Sequence, residues 1–209
     1  MNVKYIEYAL TADALCIGER VKKGIFKPCV RTIPFSSITG ALRERFGDNR
    51  ICAVGKLDES YLKEIDRFRQ IHVHSPRYRS EDVARVPLQI EFFTDVKGLV
   101  YMTLEGGNIE EFKRELERSD VIRMGAFKSK GFGNCKLRYV RTVEKPVIKA
   151  GRLQTRIPVK HLSLFGISEI KPVYGYLFEP ETPVSGKYVK SLYEGSLVKG
   201  YDFLIEEEQ

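Results

Sequence analysis

Residues 85–94, RVPLQIEFFT, set Val86, Leu88, Ile90 and Phe92 against polar partners in near-strict alternation. Period two sends successive side chains to opposite faces, so this segment is predicted to be a strand with one buried face. DVKG (95–98) carries turn chemistry, and LVYMTLEG after it predicts the returning strand of a hairpin. A half-buried strand pair needs a second layer to cover it, and the rest of the chain offers helices for that purpose.

VKYIEYAL (3–10), rich in aromatic and β-branched residues, predicts a strand. IPFSSITGALRERFGD (33–48) predicts a helix capped by Ser36 or Ser37, with Ile38, Ala41, Leu42 and Phe46 on one face and Gly47 at its exit. DESYLKEIDRFRQ (58–70) predicts a second helix, capped by Asp58, with Leu62, Ile65 and Phe68 inward. NIEEFKRELERSD (108–120) predicts another, with Asn108 as cap, Glu111 near the capping-box position and Ile109, Phe112 and Leu116 as its buried stripe. NCKLRYVRTV (134–143) alternates again, as a strand would.

With residues 48–85 set aside as an insertion, the order is β-α-β-β-α-β. That order predicts an α+β class and a ferredoxin-like fold over residues 1–148, with helices on one face of a four-stranded antiparallel sheet. From 149 to 209 the texture changes to short β-like runs separated by Gly and Pro, which predicts a small β-rich C-terminal extension.

Charge narrows the function. The 209 residues hold 35 Lys and Arg against 28 Asp and Glu, a net +7. Residues 121–150 hold eight of those cations and one acid, Glu144, so this stretch accounts for the whole excess. Cations concentrated in this way are the footprint of a polyanion. No apolar run approaches the ~18 residues of a membrane span, and the charged N-terminus lacks a signal-peptide pattern, so no membrane partner and a cytoplasmic location are expected. Cys16, Cys29, Cys52 and Cys135 form no C-x-x-C pair, which predicts reduced thiols and no metal or cofactor.

The basic stretch encloses a glycine-rich turn, GAFKSKGFGNCKL (125–137). It is not a P-loop, because Phe132 follows Gly131 where Lys is required. It is not a dinucleotide fingerprint either, because it precedes a strand rather than a helix. KGFG matches the opening of a common RNA-recognition signature and then departs from it at Asn134, Cys135 and Leu137. The physical logic still favours RNA. Gly125, Gly131 and Gly133 allow close backbone approach, Lys128 and Lys130 can neutralise phosphates, Ser129 can donate to one, and Phe132 can offer a stacking face.

IPFSSITGALR (33–43) and GAFKSKGFGNCKL (125–137), in that order, resemble two motifs of the RAMP superfamily of CRISPR-associated proteins. One is a helix start of the form IPGSS-[LI]-KGA-[LI]-R; the other is a Gly-rich loop before the last strand of a ferredoxin-like domain. Phe35 stands where the family commonly has glycine, and Thr39 where it has lysine. The resemblance implies guide-RNA (crRNA) binding within an antiviral ribonucleoprotein, beside other CRISPR effector subunits. KKGIFKPCVRT (22–32) contains no acid, so the target-cleaving Asp of backbone subunits is not carried over. What remains is most like the subunit that holds the 5′ handle of the guide. Arg31, Ser36, Ser37, Arg43, Arg123, Lys128, Lys130, Lys136, Arg138 and the backbone of 125–133 are the implied RNA contacts.

RQIHVHSPRYRS (69–80) supports an alternative. On an extended backbone His72 and His74 share a face, with Arg77, Tyr78 and Arg79 nearby. Such a pair could supply the base and acid of a metal-independent endoribonuclease that processes precursor crRNA. A third possibility is a structural bridge that binds mainly protein through the β-rich extension.

Overall fold

The computed structural model describes residues 4–19, 24–75, 86–107, 109–112, 117, 120–180 and 185–207. Strand β1 (Tyr5–Leu15) is followed by β2 (Phe26–Lys27), α1 (Phe35–Phe46), β3 (Ile51–Leu57), the short helical turns α2 (Glu59–Lys63) and α3 (Ile65–Phe68), β4 (Arg69–His74) and β5 (Leu88–Leu104). A 3-10 turn (Ile109–Phe112) leads on to the hairpin β6 (Asp120–Arg123) and β7 (Asn134–Val143). β1 lies between β5 and β7 and is antiparallel to both. β3 and β4 pair antiparallel with the two halves of β5, on the edge opposite β1, and β2 adds a short parallel pairing with β5. The chain is therefore mixed α and β, with strands predominating.

The predicted hairpin at 95–98 is instead the middle of one 17-residue strand. Asp95 takes a left-handed φ of 49°, which Asp tolerates better than most residues, and the strand runs on. Two features hold it straight. β1 offers a continuous partner along one edge, from Phe93 to Met102. On the other edge the gap between β4 and β3 is filled by the helical turns: the Asp58 N–H donates to Lys97 O (3.0 Å), the Tyr61 hydroxyl to Thr94 O (2.6 Å) and the Thr94 hydroxyl to Phe68 O (3.3 Å).

The insertion assigned to 48–85 also needs correction, because its first part, β3, is a core strand of the main sheet. It is buried on both faces and so shows no alternation to read. Gly55 allows the chain at Ile33 to cross it; a Cβ there would stand 2.8 Å from Ile33 Cβ. The single helix predicted over 58–70 is two short turns, and Arg69 already begins β4. Val86 lies outside β5 and is exposed, whereas Glu91 and Phe93 of the supposed outer face are buried. Ser36 and Ser37 sit inside the first turn of α1; Pro34 holds the N-cap position, and no side chain caps the helix. The helix predicted at 108–120, with Asn108 and Leu116, falls mostly outside the described residues.

Both faces of the sheet are covered. α1 packs Ile38, Ala41 and Leu42 against Tyr8, Leu10, Met102 and Leu137. Thr39 is buried too, and its hydroxyl both donates to Ala53 O and accepts from Ala53 N–H at 2.9 Å, which docks α1 onto β3. The opposite face receives the C-terminal residues. These form β8 (Ile148–Leu153), β9 (Ile157–Pro158), β10 (Ser168–Lys171), β11 (Tyr174–Pro180), β12 (Gly186–Leu192), β13 (Leu197–Tyr201) and β14 (Ile205–Glu206). They make two small sheets, β10-β13-β8-β14 and β11-β12-β9. Phe203 stacks on Tyr101 at 4.1 Å, and Tyr5 packs against Phe165. The four cysteines are buried and unbridged.

Candidate nucleic-acid interface

The glycine-rich loop is the tip of the β6–β7 hairpin, not a helix-to-strand connection as predicted. Its backbone is fixed by the protein itself. Ala126 N–H donates to Cys16 O (2.7 Å), Gly133 N–H to Ala14 O (2.8 Å) and Met124 N–H to Gly133 O (2.9 Å). Gly125 and Gly133 have positive φ, and a Cβ on either would collide with a backbone carbonyl, that of Cys16 or Met124. These two glycines therefore serve close approach to the chain's own backbone. Gly131, also at positive φ, faces open space. Phe127 adopts a left-handed φ of 56° and starts a 3-10 turn, Lys128–Lys130, that leaves Lys128, Ser129 and Lys130 exposed.

One side of this loop meets the face of α1 that carries Ser36, Ser37 and Gly40, across a groove of about 1050 Å³. Arg123, Gly125, Phe127 and Lys128 line the loop wall. Lys128 Nζ reaches across to Glu44 Oε2 at 3.7 Å. The β11–β12 hairpin closes the far side with Tyr176, Phe178 and Tyr188, of which Tyr176 and Tyr188 are 63% and 51% exposed. The groove thus combines cations, serine hydroxyls and aromatic faces, the groups that single-stranded nucleic acid uses.

Arg156 anchors the groove. It is buried, donates through Nε and Nη2 to both oxygens of Glu194 (2.6 and 2.7 Å), pairs through Nη1 with Glu19 (2.6 Å), and lies 4.1 Å from the centre of the Tyr193 ring. Burial works against its charge, but the hydrogen bonds and charges of Glu194 and Glu19 outweigh that and raise its pKa. The ion triad ties the segment after β1 to the turn after β12, so it fixes the wall on which the tyrosines stand.

The remaining predicted residues scatter. Arg43 is turned toward β3, donating through Nε to Ile51 O (2.7 Å) and lying with Nη2 3.5 Å from Cys52 Sγ. Arg31 is exposed beside Asp66 at 3.8 Å. Lys136 and Arg138 are exposed on β7, alternating with buried Cys135 and Leu137, and so project from the sheet face opposite α1. Phe132 does not reach the groove but packs edge-on against Phe92 (4.8 Å). His72 and His74 do share a face of β4, with rings 6.4 Å apart. They meet the loop's aromatics, His72 with Phe132 (6.4 Å) and His74 with Phe127 (6.2 Å). Arg77, Tyr78 and Arg79 lie outside the described residues.

Sequence reasoning missed Phe127, Tyr176, Phe178, Tyr188 and Arg156. Phe127 sits within the glycine-rich loop, but its left-handed backbone gives no sequence signal. The tyrosines belong to β-like runs that alternation alone does not orient toward a site so distant in sequence.

No protein-family model and no curated protein sequence matches the chain. Solved structures do. A chain in the cryo-EM structure of the Type III-B Cmr-beta bound to cognate target RNA superposes with a TM-score of 0.55 at 10% identity, over 94% of this chain and 86% of that one. The likeness is one of fold. A chain in the same assembly bound to cognate target RNA and AMPPnP gives 0.52 at 9% identity, with the same coverage. Among the described residues, no helix is long and apolar enough to cross a membrane.

Proposed function

We propose that the groove binds single-stranded RNA, and that the chain is a guide-RNA-binding subunit of a CRISPR ribonucleoprotein effector of the RAMP type, working beside other effector subunits in the cytoplasm. The observation that carries this reading is convergence: the two stretches with family resemblance, distant in sequence, contribute Ser36, Ser37, Gly125 and Lys128 to one groove, with Arg123 of β6 beside them. The fold shared with chains of an RNA-bound Type III-B assembly supports it. The antiparallel order β3-β5-β1-β7, with α1 crossing between β1 and β3, supports a ferredoxin-like N-terminal domain over 1–148. The C-terminal part from 149 then forms the second wall, and the groove between the two is the seat proposed for the 5′ handle of a guide. In this role Lys128, Lys130 and Arg123 hold phosphates. Ser129 lies beside them on the same exposed turn, and Phe127, in place of Phe132, offers the stacking face. His72 and His74 brace the loop through Phe132 and Phe127.

The test is binding of labelled CRISPR repeat RNA at a series of salt concentrations, in EDTA. Lys128→Ala/Lys130→Ala should weaken binding and flatten the dependence of log K on log salt by roughly 0.7 for each phosphate no longer neutralised. An unchanged slope would remove these lysines from the interface. RNA recovered intact supports a binding role. A site-specific cut abolished by His72→Ala would instead make the chain a processing endoribonuclease.

A further inference from the structure

A second cluster of chemically competent side chains lies away from the groove. Cys52 on β3, Glu105 just beyond the end of β5 and His161 in the 3-10 turn Val159–His161 bring a thiol, a carboxylate and an imidazole together, with ligand atoms all within 4.8 Å of one another. Cys52 Sγ and Glu105 Oε2 are 4.0 Å apart. His161 is 8% exposed and its ring stacks on Phe35 at 4.6 Å, which fixes the plane of the imidazole. Its Nδ1 is buried and has no hydrogen-bond partner among the described residues. A polar atom held in that condition calls for something to bind it.

We infer that Cys52, Glu105 and His161 form a binding site for a zinc-like divalent cation that joins the C-terminal residues to the main sheet. A thiolate, an imidazole nitrogen and a carboxylate oxygen are the donors zinc takes, and three protein ligands leave a fourth position for water. Zinc–ligand bonds of roughly 2.0–2.3 Å set tetrahedral donor–donor edges of roughly 3.3–3.8 Å, so small side-chain movements close the present spacing. Arg43 Nη2, 3.5 Å from Cys52 Sγ, is placed to hydrogen-bond the thiolate as an outer-shell partner of the metal site. Lys160, next to His161, has its ammonium engaged by Glu179 at 2.6 Å rather than pointing into the cluster.

Cys52 and Glu105 belong to β3 and the end of β5, while His161 belongs to the segment that covers the opposite sheet face. A cation held by all three therefore acts as a clamp between them. This inference does not rest on RNA binding and stands or falls separately from it.

The test uses the full chain, reduced, stripped with EDTA and titrated with Co²⁺ and then Zn²⁺. The expected result is one equivalent of Co²⁺ bound with a thiolate-to-cobalt charge-transfer band, displaced by Zn²⁺, and a rise in Tm with Zn²⁺. Cys52→Ser should abolish the band. Glu105→Gln changes an exposed side chain and leaves the fold intact by circular dichroism; it should weaken Co²⁺ binding at least about tenfold, the lower end of what even outer-shell losses cost. Absence of saturable uptake, a band that survives Cys52→Ser, or an affinity unchanged in Glu105→Gln would each overturn the site.

Discussion

Lys128 Nζ lies 3.7 Å from Glu44 Oε2, so the loop cation nearest α1 already has an acid partner before any ligand arrives. Both side chains are largely exposed, and such pairs contribute no more than about 1 kcal/mol to stability. An RNA phosphate must compete with Glu44 for Lys128. Glu44→Gln is therefore expected to raise RNA affinity several-fold at low salt, to lose that advantage as salt rises, and to leave Tm unchanged. Fluorescence anisotropy at two ionic strengths checks this; weaker binding in Glu44→Gln would mean the carboxylate organises the site.

The tyrosine wall makes a different kind of prediction. Tyr176 and Tyr188 are exposed ring faces on β11 and β12, and base stacking on such rings is worth about 1–3 kcal/mol each. Tyr188→Ala should cost roughly that much in RNA binding free energy with no change in the salt slope, because no charge is removed. A loss equal to that of Tyr188→Leu would point to stacking, whereas full rescue by Leu would reduce the ring to a packing surface.

Two glycines of the same loop separate backbone demand from ligand demand. Gly133→Ala drives a Cβ into the Met124 carbonyl, so the hairpin tip must shift, and a stability loss above about 2 kcal/mol is expected by urea titration. Gly131→Ala meets no atom and pays only for its positive φ, about 1 kcal/mol. Equal losses at the two positions would mean that the close approach of Met124 to Gly133 is not what requires glycine there.

Phe35 stands where the resembled family commonly carries glycine, and its ring fills the space between His161 and Phe165. Phe35→Ala should destabilise the chain by about 3–5 kcal/mol, as for other buried aromatic truncations. Hydrogen exchange should show the loss first at β9 and the turn after it. Loss confined to α1 would place the anchoring elsewhere.

Cys135 offers a pH test. Burial pushes its thiol from 9.0 up to about 12, above the unfolded value. Its contribution to stability is thus fully present below about pH 9 and is lost as pH rises toward 12. At mildly alkaline pH iodoacetamide should leave Cys135 unlabelled in the folded chain and label it readily in urea, read by peptide mass spectrometry. Equal rates in the two states would contradict its burial.

What could be read from the sequence depended on whether a segment faces water on one side. α1 and β7 carry a polar face and their periodicities announce them, whereas β1, buried on both faces in its first half, is legible from its aromatic and β-branched residues. β3 has no polar face, and its ICAVGKL was absorbed into an insertion. DVKG has the composition of a turn, yet β1 and the donors Asp58 and Tyr61 hold it extended; those partners lie far away in sequence. The site behaved likewise. The charge and glycines of 125–133 were legible, but Arg43 and Phe132, plausible RNA contacts by composition, proved to be occupied by Ile51 and Phe92. The aromatic wall was invisible because it depends on how the C-terminal residues fold back.

The position of β1 has a consequence for the life of the nascent chain. β1 is an interior strand synthesised before both of its partners, registered with β5 from Phe93 to Met102 on one edge and with β7 from Cys135 to Val143 on the other. During translation its second edge stays open until β7 has left the ribosome, and closing that last pairing joins Tyr5–Ala12 to Cys135–Val143. Such long-range closure is slow, and an exposed strand edge is a template for wrong partners. Yield in cells should therefore be set less by final stability than by how this one strand is shielded while it waits.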